Sequence, residues 1–84
     1  MKVELSDQVE RSAGLTRLLN AIEEICSPSS VQVTLDARNN VLIEIFEENT
    51  RILYIRVKNG KLRGAGGLFR LGVLGELSHY IKAV

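Results

Sequence analysis

The sequence predicts an α+β domain: an N-terminal helix, a four-stranded antiparallel β-meander and a C-terminal helix. Apolar residues recur at three- and four-residue steps near both ends of the chain and at alternate positions through its middle. Asn59-Gly60 lies between two alternating segments, and that dipeptide favours a two-residue hairpin turn because both positions tolerate positive φ. The 84 residues are 45% apolar and 25% charged. Those are the proportions of one globular domain, 1–84, and not of a disordered or collagen-like chain.

Residues 2–5 are a short strand candidate, too brief to assign by pattern. A helix is expected from Ser6 or Asp7, because Asp7 and Glu10 have capping-box spacing. Val9, Leu15, Leu18, Leu19, Ile22, Ile25 and Cys26 form its apolar stripe. Gly14 weakens the middle by about 1 kcal/mol relative to Ala, which allows a kink there or a start near Thr16. Pro28 ends the helix, since it cannot extend the hydrogen-bond ladder.

Three strands then alternate: Val31/Val33/Leu35, Val41/Ile43/Ile45 and Leu53/Ile55/Val57. A short fourth runs over Lys61–Ala65. Side chains in a strand switch faces every residue, so a one-residue slip would expose the whole buried row. Keeping that row together pairs Leu35 with Val41 and Ile45 with Leu53. It implies a loop at Glu48-Asn49-Thr50, Glu47 opposite Arg51, Val57 opposite Leu62 and Arg56 opposite Arg63. The inner row then comprises Leu62 and the nine apolar residues just named. Leu68, Leu71, Leu74, Leu77, Ile81 and Val84 mark the C-terminal helix, with Gly72 and Gly75 weakening its first turns.

The outer face of this sheet carries Thr34, Leu42, Phe46, Ile52 and Tyr54, with Glu44, Arg56, Lys58, Lys61 and Arg63 toward one edge. It is too apolar for a wholly wetted face and too charged for a core. The simplest cover is one helix on each face of the sheet. The alternatives are a second copy of the chain or another protein, with Leu42, Phe46, Ile52 and Tyr54 as the interface.

Net charge is +1, but its distribution is uneven. Residues 1–50 hold four Lys/Arg and nine Asp/Glu, a net −5, whereas residues 51–84 hold seven against one, a net +6. Arg56, Lys58, Lys61 and Arg63 cluster on the hairpin, with Arg70 beyond it. Such a cluster can neutralise phosphates, and an adjacent Tyr54 can stack on a base. The plainer role is a solubilising hairpin tip that guards a sheet edge. Gly64-Ala65-Gly66-Gly67 could bring backbone amides near a phosphate. It lacks the lysine and spacing of a P-loop or dinucleotide fingerprint, so a chain reversal into the helix is the expected role.

Cys26 is the only cysteine, so neither an internal disulfide nor a thiolate metal cluster is expected. The lone His79 lies near a helix end, where it suits the dipole. Glu23-Glu24 and Glu47-Glu48 are adjacent pairs that point different ways and form no acid–base couple. No stretch reads as a signal peptide or a membrane span. The expectation is a cytoplasmic protein without metal or cofactor.

The segment Lys61-Leu62-Arg63-Gly64-Ala65-Gly66-Gly67-Leu68-Phe69-Arg70-Leu71 resembles a stretch in RelE/ParE-type toxins, where a Gly-containing turn leads into a strand. Lys2-Val3-Glu4-Leu5-Ser6 resembles their first strand. In that family the stretch enters the central strands, whereas here it enters the final helix, so no residue role is carried over. The sequence therefore points to a small non-catalytic interaction module (an adaptor, regulator or inhibitor), homodimeric or bound to another protein. The alternative is nucleic-acid binding through the basic hairpin.

Overall fold

The computed structural model describes residues 1–67 and 71–84. The order is β1 (Lys2–Leu5), α1 (Ala13–Cys26), β2 (Ser30–Leu35), β3 (Val41–Glu47), β4 (Thr50–Lys58), β5 (Lys61–Gly67) and α2 (Leu71–Ile81). The α+β class holds, but the sheet has five strands in the order β1-β2-β3-β4-β5. The extra strand is β1, which pairs in parallel with β2, Val3 opposite Val31 and Leu5 opposite Val33. Parallel neighbours need a crossover, and α1 supplies it.

That pairing delays the helix. The Ser6 N–H still donates to the Val33 carbonyl at 2.9 Å, so Ser6 and Asp7 cannot start α1. Ser12 is the N-cap instead, its hydroxyl accepting from the Leu15 N–H at 3.0 Å. Gly14 lies in the first turn of α1, which runs uninterrupted over Ala13–Cys26; a Cβ there would collide with the Ala83 carbonyl. At the other end Ser27 turns left-handed (φ 44°) and its N–H closes on the Glu23 carbonyl before Pro28.

Most of the expected register is present: Leu35 pairs with Val41, Ile45 with Leu53 and Val57 with Leu62. Asn59 and Gly60 both have positive φ, 53° and 74°. Two bulges change the rest. Between β3 and β4, Phe46 faces Arg51 and Glu47 faces Thr50, leaving Ile52 as the surplus residue. Arg51 therefore does not face Glu47, and the turn is Glu48-Asn49 alone. Between β4 and β5, Arg56 faces Gly64 and not Arg63, which is the surplus residue there. Leu62 leaves the inner row: it lies on an edge strand beside the turn and is 43% exposed.

Both helices lie on one face of the sheet. Leu15, Leu18 and Ile22 of α1 and Leu77 and Ile81 of α2 share a single core with Val31, Val33, Ile43, Ile45, Ile55 and Val57. The expected arrangement of one helix on each face is therefore incorrect. A second helix surface can bury more by packing on α1 and the same apolar row than by covering a face studded with Glu44, Arg56 and Lys58. The chain end stays on the helical side, where the Gly60 N–H donates to a Val84 oxygen at 2.8 Å. Among the described residues, no helix is long and apolar enough to cross a membrane.

Candidate functional site

The helix-free face slopes into an open depression of about 700 Å³ between the β2–β3 loop and the β4–β5 hairpin. Asp36, Ala37, Arg38, Asn40, Arg56, Lys58 and Arg63 line it. The register explains why these segments meet. Val41 at the start of β3 pairs with Val57 near the end of β4, so the loop before β3 and the turn after β4 lie at the same end of the sheet. Four cations thus surround one carboxylate.

Asp36 organises the loop. One of its oxygens accepts from the backbone N–H groups of Arg38 and Asn40, each at 2.9 Å. The other accepts from the Asn40 side-chain amide at 2.9 Å and pairs with Arg56 Nε at 3.4 Å. The Asn40 side chain most strongly, then the two backbone donors and the Arg56 guanidinium, hold the Asp36 carboxyl below its ordinary range against an opposing contribution from burial. Lys58 Nζ donates to the Arg38 carbonyl at 3.1 Å. Arg38 and Arg63 have no carboxylate within ion-pair distance among the described residues.

Beside the depression stands Tyr54, opposite Glu44 on β3 and Gly66 on β5. The Arg51 and Arg56 guanidinium carbons lie 4.8 and 4.9 Å from its ring centroid, within range for cation–π attraction. Arg51 also pairs with Glu44 at 3.0 Å. A Cβ on Gly66 would fall 2.7 Å from Tyr54 Cε1, so the far end of the ring lies close over the β5 backbone at this glycine.

Of the residues expected to meet phosphate, Arg56, Lys58 and Arg63 come together in the depression. Lys61 is exposed opposite Lys58 but does not line it. Arg70 lies outside the described residues. Arg38 and Arg51 were missed. Arg38 was recoverable from the Leu35–Val41 pairing, which brings its loop beside the end of β4. Arg51 was hidden by the bulge.

The expected apolar interface is also altered. Leu42 and Phe46 lie on the helix-free face, outside the core cluster, but both are half-buried. Ile52, as the surplus residue of its bulge, packs against the core. Cys26 is half-buried on α1, where burial first and the Glu76 carboxylate second push its thiol up from the ordinary value. His79 is exposed in the last turn of α2. Among the described residues, no group of three or more His, Cys, Asp or Glu side chains could hold a metal ion.

No protein-family model matches the chain, and comparisons with curated proteins and with solved structures likewise return no match.

Proposed function

We propose that this chain is a non-catalytic binding module whose helix-free sheet face takes a nucleic acid, with the phosphates held in the depression between Arg38, Arg56, Lys58 and Arg63. One observation carries the reading: four cations line a single concavity around one carboxylate, and Arg38 and Arg63 have no acidic partner among the described residues. Cations gathered this way release the counterions condensed on a phosphate backbone, which drives sequence-independent association. The lone cysteine suits a reducing cytoplasm, the compartment we propose.

Anisotropy of a labelled oligonucleotide across a salt series tests the reading. Three neutralised phosphates on a single strand give a slope of about −2 in log affinity against log salt. Replacing Arg38→Glu and Arg63→Glu together should flatten the slope and abolish binding at moderate salt, with the melting temperature little changed. Absence of binding at low ionic strength, or equally tight binding of polyglutamate, overturns the proposal.

A second reading is assembly with another copy of the chain or with another protein through Leu42 and Phe46. It is favoured by their place on a face that neither helix covers. Light scattering that finds a dimer, lost in Phe46→Glu, would support it. A monomer with no co-eluting protein would remove it.

A further inference from the structure

Phosphate contacts do not distinguish single from double strands, but the neighbouring group of side chains does. We infer that Tyr54, with the guanidinium groups of Arg51 and Arg56 beside it, is a base-stacking site, and that the ligand of this face is a single strand with unpaired bases. The inference rests on the nucleic-acid reading above and deepens it.

Aromatic rings and guanidinium planes both stack on nucleobases. Here they are already assembled, with Arg51 and Arg56 at 4.8 and 4.9 Å from the Tyr54 centroid. Both arginines are paired with carboxylates, Arg51 with Glu44 at 3.0 Å and Arg56 with Asp36 at 3.4 Å. Those pairs bias both guanidinium groups toward the ring, which reduces part of the ordering cost of binding.

Arg56 belongs to the stack and to the depression alike. One residue thus joins the place where a phosphate would sit to the place where its base would lie. Opposite Arg56 and Tyr54 on β5 stand Gly64 and Gly66, neither of which puts a side chain beside the stack. Phe46, opposite Arg51 on β3, is half-buried on the same helix-free face. A duplex hides its base faces inside the stack and cannot use such a surface.

The molecule supplies its own reporter, because Tyr54 and Tyr80 are the only tyrosines and there is no tryptophan. In a Tyr80→Phe background, Tyr54 emission reports on its surroundings alone. Three probes of about 12 nucleotides are compared: oligothymidylate, an abasic oligomer of equal length, and a duplex.

Oligothymidylate should quench Tyr54 and bind at least about fivefold more tightly than the abasic oligomer. Tyr54→Leu should reduce its affinity to the abasic level while leaving the salt slope unchanged, and Tyr54→Phe should restore it. A merely structural tyrosine would alter the melting temperature without creating any dependence on the bases. Equal affinity for oligothymidylate and the abasic oligomer, or tighter binding of the duplex, overturns the stacking site while leaving the phosphate site standing. Failure of all three probes to bind overturns both.

Discussion

Ile43 and Leu42 are neighbours in β3 and isomers in side-chain composition, yet they live in different media. Ile43 has no exposed surface and touches the helices' core, whereas Leu42 faces the side that neither helix covers. The same contrast runs through the sheet. Val31, Val33, Ile45, Ile55 and Val57 are fully buried on one side. On the other, Phe46, Tyr54 and Arg56 are half-buried. One face is dry because two helices compete for it. The other is kept from being a bare apolar patch by arginine guanidinium groups set beside an aromatic ring. A face with that composition can stay in water and still offer flat, polarisable surface to a ligand.

Truncation should separate the two faces most sharply. Ile43→Ala removes a fully buried side chain and is expected to cost about 2–5 kcal/mol. Leu42→Ala removes a half-buried side chain and should cost less, about 1 kcal/mol. Urea unfolding of both variants with a common m-value measures the difference. Equal losses would mean that something covers the outer face in solution, and the contrast would collapse.

Two glycines give a smaller effect that is present on one side and absent on the other. Gly14→Ala would gain up to about 1 kcal/mol in an exposed helix. Here the added methyl strikes the Ala83 carbonyl, so a net loss of about 1–3 kcal/mol is expected from overpacking. At Gly64 the same methyl meets only the Arg56 side chain, 3.9 Å away. Thermal melts should place Gly64→Ala within about 0.5 kcal/mol of the parent. A neutral Gly14→Ala would show that the chain end does not press on α1.

The smallest effect is electrostatic and belongs to the outer face alone. Asp36 is held below its ordinary range in the fold, so the folded state binds a proton less readily than the unfolded one. Its contribution to stability is therefore complete above the unfolded pKa and disappears as pH falls through the folded pKa. Melting temperatures of the parent and Asp36→Asn should differ at neutral pH and converge on acidification. A gap that persists in acid would assign the effect to loop geometry and not to charge.

Much of the fold was legible because it is written in short-range pattern. Asn59-Gly60 announces its turn, Pro28 marks the end of α1, and alternation identifies the inner residues of β2, β3 and β4, except Leu35, which lies half-buried outside the core cluster. The errors lie where a distant partner decides. The Asp7–Glu10 spacing suits a cap, but β1 still holds Ser6 to Val33. Leu62 fits the apolar alternation, but edge position leaves it uncovered. The candidate site divides the same way. Arg56, Lys58 and Arg63 were visible as a cluster, whereas Arg38 joins them only through pairing across three strands.

By itself the sequence determined the α+β class, the Asn59-Gly60 hairpin, the apolar side of each central strand and the basic character of the second half. These follow from φ preferences, side-chain periodicity and charge counts, which act between residues close in the chain. Tertiary structure alone decided that β1 joins the sheet in parallel, that both helices share one face, and where the two bulges fall. It also decided that Tyr54 lies on Gly66 between two arginines. Local pattern says which side of an element avoids water, but the choice of neighbour is settled by competition among surfaces for burial. The face that lost this competition is the one that neither helix covers.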